Sequence, residues 1–118
     1  MAFKESVTLE KSFHFAVRVV RLREYLQKEH REFDLSRQLL RSGTAVGALV
    51  REARFAQSRA DFVHKLSIAL KEANESDYWI DLLAETGYLE RKAYQSLKAD
   101  IQELIKLLAA SVKTGKTE

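Results

Sequence analysis

Leu97-Lys-Ala-Asp-Ile101-Gln-Glu-Leu104-Ile105-Lys-Leu-Leu108 carries large apolar residues at 97, 101, 104 and 108. That 4-3-4 spacing follows the 3.6-residue period of an α-helix and leaves one apolar seam, with Ile105 beside it, to face one core. Little interrupts the same period elsewhere in the chain. The 118 residues include four glycines and no proline, whereas average usage would give about six prolines. A chain so poor in turn chemistry does not make an all-β sandwich or barrel. At this length it suffices for one domain with a real core, and 46% hydrophobic with 31% charged residues is too apolar for disorder. The expected fold is all-α, a single-domain up-down four-helix bundle.

The first helix is expected over about 8–30, with Thr8 as its N-cap, and the second over about 34–57, opened by Asp34. Ser58 and Asp61 form a capping box that opens a third helix over about 58–86. No Gly or Pro separates the second helix from the third, so one continuous helix is the competing reading. Thr86-Gly87 is a stop, because glycine takes the left-handed conformation without steric cost. The fourth helix is expected over about 90–112, completing a bundle of residues 1–112, and the polar tail 113–118 is expected to fray.

The first and third helices each carry two apolar stripes. Leu9, Phe13, Ala16, Val17 and Val20 fall on one side of the first, and Phe15, Val19, Leu22 and Leu26 lie roughly 200° away. On the third, Phe62, Leu66, Ala69, Ala73 and Ile80 make one stripe, while Ile68, Trp79 and Leu82 make another. A four-helix monomer needs one stripe per helix, so the second stripe implies a homo-oligomer interface. Phe15, Val19, Leu22, Leu26, Ile68, Trp79 and Leu82 are assigned to it; one broad face wrapping into a single core is the alternative. Glu72 and Glu75 lie on or beside that stripe and are expected to be paired by arginines of the first two helices, so they join the interface set. Gly43 and Gly47 each cost about 1 kcal/mol against alanine inside a helix. They mark either close approach of a neighbouring helix or a backbone surface opened to a ligand.

Charge is unevenly distributed. Residues 1–59 hold 12 Lys/Arg and 7 Asp/Glu, a net of +5, and residues 60–118 hold 8 and 10, a net of −2. Nine of the ten arginines are in the first half, which suits a polyanion or a self-complementary assembly. His14, Arg18, Arg21, Tyr25 and Lys28 form a polar stripe on the first helix; Arg37, Arg41, Thr44, Arg51 and Phe55, with Arg54 adjacent, form one on the second. Arginine donates two hydrogen bonds to a phosphate at once, and Tyr25 and Phe55 offer stacking surfaces. Arg18, Arg21, Lys28, Arg37, Arg41, Arg51 and Arg54 are therefore the candidate contacts to RNA or DNA. Salt bridges on a solvated face are the plainer account.

Other chemistry is thinly supported. His14, His30 and His64 lie in different segments, and Asp61-x-x-His64 is no substitute for the two Glu-x-x-His motifs of a bundle di-iron site. Neither a glycine-rich phosphate loop nor a Gly-x-Ser-x-Gly nucleophile motif occurs, and Ser67 with Lys71 is commonplace helical spacing. No enzyme activity, metal or cofactor is expected. Zero cysteines exclude disulfides, no apolar run is long enough for a membrane span, and the acidic start Met1-Ala-Phe-Lys-Glu-Ser lacks a signal-peptide core. The expected location is cytoplasmic, without membrane contact.

Gln38-Leu-Leu-Arg-Ser-Gly-Thr-Ala-Val-Gly-Ala-Leu-Val-Arg-Glu-Ala53, Ser58-Arg-Ala-Asp-Phe-Val-His-Lys-Leu-Ser-Ile-Ala-Leu-Lys-Glu-Ala73, Tyr78-Trp79 and Leu82-Leu83 resemble small bacterial four-helix-bundle proteins. These are the 23S rRNA-intervening-sequence, or S23 ribosomal protein, family, and the resemblance spans roughly residues 10–110. It implies an up-down bundle that assembles as a ring, typically a homopentamer, with no settled biochemical function. The chain departs from the pattern at Ala45 and Leu49, where serine and asparagine are common in the family. Arg51-Glu52-Ala53 and Lys71-Glu72-Ala73 are retained, and the resemblance implies that they determine architecture and interface. Nucleic-acid binding by the first two helices is the leading expectation. An oligomeric ring that recruits a protein partner without touching nucleic acid is the alternative.

Overall fold

Glu32 is the residue that starts the second helix. In the computed structural model, which describes residues 2–117 with side chains from 6 to 115, its carboxylate accepts the backbone N–H groups of Asp34, Leu35 and Ser36 at 3.1, 2.8 and 2.7 Å. The Ser36 hydroxyl returns a bond to the Glu32 carbonyl at 3.0 Å. Three otherwise unpaired donors of a helix N-terminus are thus satisfied by one buried carboxylate. Asp34, expected to open this helix by capping, instead pairs with Arg37 on the surface at 3.3 Å.

Four helices follow in order: α1 (Ala2–His30), α2 (Asp34–Ala53), α3 (Arg59–Glu85) and α4 (Arg91–Thr117). Each packs against its neighbour in sequence, and α4 returns to α1, giving an all-α up-down bundle 46 Å long and about 20 Å thick. Helix α1 begins well before Thr8, which is buried inside it rather than capping it. Nothing between Ala2 and Thr8 stops a helix, since that stretch has neither Gly nor Pro.

Helices α2 and α3 are separate. Arg54, Phe55 and Ala56 donate to carbonyls three residues back, at 3.2, 3.0 and 3.2 Å, so α2 tightens and ends at Ala53, short of Gln57. Ser58 is extended and its hydroxyl accepts from Asp61 N–H at 3.1 Å, while Asp61 accepts the Gln57 N–H at 3.2 Å. The capping pair forms as expected, shifted by one residue on its return bond. At the other end of α3, Gly87 has φ 87°; its N–H reaches Ala84 at 3.1 Å and the Tyr88 N–H reaches Leu83 at 2.9 Å. This is the paired-bond stop that a left-handed glycine permits. Helix α4 continues past 113 to Thr117, with Val112 and Gly115 buried, and Glu118 of the expected polar tail lies outside the described residues.

The core settles which stripe of α1 faces inward. Phe15, Val19 and Leu26 are fully buried with Leu39, Val46, Leu66, Ile80, Leu83, Ile101, Leu104 and Leu108, and half-buried Leu22 packs against them. The expectation that Phe15, Val19, Leu22 and Leu26 form a subunit interface is therefore corrected: they are the bundle's own core. Phe13, Val17 and Val20 are the exposed set, at 58%, 41% and 39%. The physical cause lies on α2, where Gly43 lets α1 approach. A Cβ there would stand 2.9 Å from a Val19 methyl and 3.4 Å from the Phe15 ring. Gly47 likewise faces the Ser12 carbonyl at 3.3 Å, so both glycines serve close helix packing.

Candidate nucleic-acid and assembly surfaces

The seven expected cations do not form one surface. Arg18 turns to α4, donating to Asp100 at 2.6 Å. Arg41 turns to α3, where it bridges Glu72 at 3.1 Å and Glu75 at 2.6 Å. Hydrogen bonds to Glu72 and then Glu75 raise the Arg41 pKa further. The Trp79 indole N–H, at 3.0 Å, and Arg41 hold the Glu75 carboxyl below the usual glutamate range. Glu72 and Glu75 thus find the expected arginine partner, within one chain. Arg21 pairs with Glu24 at 3.2 Å and Arg37 with Asp34, both locally and in the open. Four of the seven already face carboxylates, and the two stripes diverge to opposite flanks of the α1–α2 pair. For Arg18 and Arg41 the reason is non-local: their partners lie on α4 and α3, invisible to helical spacing.

Arg51 and Arg54 differ. They are exposed, one turn apart at the end of α2, and pair with no carboxylate among the described residues. The Arg51 guanidinium lies 5.8 Å from the Phe13 ring centre, and that of Arg54 lies 5.9 Å from the Phe55 ring centre. Phe55 is 77% exposed. A groove between α1 and α2 runs beside them, lined by Leu9, Phe13, Ala16, Gly47, Ala48 and Phe55. Lys28, also exposed, sits fifteen residues from Phe13 along α1, about 22 Å away toward the other end.

Of the expected interface on α3, Ile68, Trp79 and Leu82 are each half-buried. Trp79 packs partly against the core, and Leu82 borders a shallow groove with exposed Tyr78 and with Asp81, Glu85 and Tyr94. A cluster absent from the expectations lies nearby. Lys98 sits between Asp77 at 2.8 Å and Asp81 at 3.0 Å, and Tyr94 donates to Asp81 at 2.8 Å. Burial pushes Asp81 up, but the Lys98 and Tyr94 hydrogen bonds outweigh it and leave its carboxyl below the usual range. Among the described residues no group of three or more His, Asp or Glu is placed to hold a metal ion. Ala45 and Leu49 are half-buried, and Leu49 packs on the core. No helix among the described residues is long and apolar enough to cross a membrane.

A family model described as 23S rRNA-intervening sequence protein matches residues 4–110. A crystal structure of a protein of unknown function from the S23 ribosomal protein family of Bacteroides thetaiotaomicron VPI-5482 superposes with a TM-score of 0.91 at 53% identity. That match covers 93% of this chain and 98% of the other. No curated protein matches.

Proposed function

The chain belongs to the 23S rRNA-intervening sequence protein family, and we propose that it is a cytoplasmic, non-enzymatic RNA-binding protein that contacts the strand through Arg51 and Arg54. The observation that carries this is the pair of exposed guanidinium groups without carboxylate partners among the described residues, each beside an aromatic ring. Phosphates take the two-pronged donors, and the Phe55 face receives an unpaired base. Arg21 and Arg37 add little. Their exposed pairs are worth at most about 1 kcal/mol and yield to phosphate, but the displaced carboxylate stays close and repels it. Arg18 and Arg41 are held more firmly by carboxylates of α4 and α3 and serve the bundle first.

Binding to ribosomal RNA, unrelated RNA and duplex DNA, measured at two salt concentrations, tests the reading. Phosphate binding releases counterions, so affinity must fall steeply with salt. Replacing both Arg51 and Arg54 with glutamate should weaken binding to every sequence alike and reduce the salt slope by about two units. Binding that is undetectable at low salt, or indifferent to salt, refutes it.

A second reading is favoured by the exposed Phe13, Val17 and Val20. On this reading the chain is an oligomeric ring, pentameric as the family resemblance implies, that recruits a protein partner without touching nucleic acid. Self-association through exposed Val17 and Val20, outside the groove that Arg51 and Phe55 line, is compatible with both readings. Light scattering gives the subunit number; a monomer at high concentration removes the ring from both.

A further inference from the structure

At the end of the bundle opposite Arg51 and Arg54, three rings gather where α1 ends and the α3–α4 loop passes. Tyr25 and His30 meet with ring centres 5.4 Å apart and planes at 67°, and His30 meets Tyr88 at 5.7 Å and 86°. Edge-to-face contact covers one face per pair, where flat stacking covers two, so π surface stays available. The Tyr25 hydroxyl and His30 Nε2 are 3.3 Å apart, which holds the first two rings in place. All three line one cleft of about 440 Å³, whose other walls include Leu22 and Ala93. That size is ordinary for a small-molecule site.

The cleft holds one charged group, and it is negative. Glu90 is exposed just before α4, and its carboxylate meets no cation or hydrogen-bond donor among the described residues. Lys28, Arg31, Arg91 and Lys92 are neighbours in sequence, yet none of them lines the cleft. The face of an aromatic ring is negative and a carboxylate more so, so these walls favour a cation over an anion. The kind of cation follows from what the walls lack. A bare lysine ammonium is strongly hydrated and carries three donors, and one carboxylate among rings and apolar walls does not satisfy them. An ammonium covered by methyl groups has no donors to satisfy, and its methyls suit Leu22, Ala93 and the ring faces.

We propose that this cleft binds a methylated ammonium group, its charge seated among Tyr25, His30 and Tyr88 and balanced by Glu90. The group belongs either to a free small molecule of the choline type or to a methylated lysine side chain; the two share this chemistry. The site stands apart from the Arg51 and Arg54 surface and does not depend on RNA binding there.

Titration of the full chain with choline and, separately, with its neutral isostere 3,3-dimethylbutan-1-ol tests the charge. Backbone amide NMR reports the site, and the dependence of the shifts on concentration reports the affinity. Choline should shift amides of residues 22–30 and 87–93 at millimolar concentration, and the neutral alcohol should bind at least about tenfold more weakly. Tyr25→Leu keeps the apolar bulk but removes one ring, and should weaken choline binding about two- to fivefold, whereas Tyr25→Phe keeps the ring and should bind like the wild type. Glu90→Gln should weaken binding by up to about fivefold, a difference that added salt narrows. Both side chains are exposed, so melting temperatures should stay near that of the wild type. A short peptide carrying trimethyl-lysine separates the sources: tighter binding than choline assigns a protein side chain, and weaker or equal binding assigns the free cation. Replacing Arg51 and Arg54 with glutamate should leave the choline shifts in place, so loss of the proposed RNA surface and loss of this site are separable. If neither choline nor the methylated peptide moves these amides, if the neutral alcohol binds as well as choline, or if Tyr25→Leu and Glu90→Gln both bind like the wild type, the proposal is overturned.

Discussion

Replacing Gly43 by alanine should destabilise the bundle, whereas the same change at Gly47 should not. Alanine in place of either helical glycine gains about 1 kcal/mol of intrinsic helix preference. At Gly43 the new methyl would stand 2.9 and 3.2 Å from the two methyls of Val19. To reach ordinary carbon–carbon contact near 3.5–4.0 Å, something must move by roughly 0.5–1 Å. Val19 is 1% exposed and β-branched, with one strongly preferred rotamer in a helix, so it cannot swing aside. Overpacking of that kind costs about 1–3 kcal/mol. The balance is a net loss of about 1 kcal/mol, or a fall of about 4 °C in melting temperature for a domain of this size. At Gly47 the nearest atom is the Ser12 carbonyl oxygen at 3.3 Å, which needs to yield only a few tenths of an ångström. There the helix preference prevails and the melting temperature should rise by about 2 °C. Thermal unfolding followed by far-ultraviolet circular dichroism measures both. An alanine at position 43 that is as stable as one at 47 would refute the claim that α1 and α2 are brought together at Val19.

Val17→Glu should leave the helical content intact and reduce any assembly to smaller species by light scattering, while Val19→Glu should abolish folding, because only the second charge enters the core. Glu32→Ala removes the acceptor for three backbone donors at the start of α2 and should cost about 1–2 kcal/mol, read as a denaturation midpoint at lower urea. Acid should destabilise the fold through Glu75 and Asp81, whose carboxyls titrate below their ordinary values. Their contribution is complete above the unfolded carboxylate range near pH ~4 and disappears as pH falls through the lower folded values. Alkali should act through Lys98 and Tyr94, both raised: for Lys98 burial opposes the charge but the Asp77 and Asp81 bonds prevail, and for Tyr94 the Asp81 bond leads. Their contribution is present below the unfolded values near pH ~10 and is lost above them, so melting temperature plotted against pH should fall at both ends.

Helix α4 was readable from its spacing alone, because a helix with a single apolar stripe leaves no choice of inward face. Helix α1 was not. Both its stripes are apolar, and the choice between them depends on Gly43 being opposite Val19, a relation between two helices that periodicity within one cannot express. The Thr86-Gly87 stop and the Ser58–Asp61 cap were legible because each is a local chemical device. Glu32 was missed as the cap of α2 because it lies two residues before the helix, and the ordinary rule looks for a short polar residue adjacent to it. At the candidate surface, spacing correctly placed cations on α1 and α2. It could not show that Arg18 meets Asp100, 82 residues away, or that Arg41 meets Glu72, 31 residues away. Spacing did place Arg51 and Phe55 on one face, with Arg54 adjacent, but not that Arg51 would lie beside Phe13 of α1.

The connectivity also has a consequence in time. Links of three to five residues join helices that are neighbours in space, so most of the fold can form by local encounters, the regime of microsecond-to-millisecond folding. With no proline in the chain, no prolyl isomerisation slows it. The α1–α4 seam is the exception, because it joins the first helix to the last. During synthesis α1 can settle on α2, and α3 on the other side of α2, while the flank carrying Lys11 and Arg18 still faces water. Only when α4 is released do Glu103 and Asp100 arrive to meet them, at 3.2 and 2.6 Å. Until α4 docks, the side of the bundle it will cover therefore carries the cations Lys11 and Arg18 without these two carboxylates.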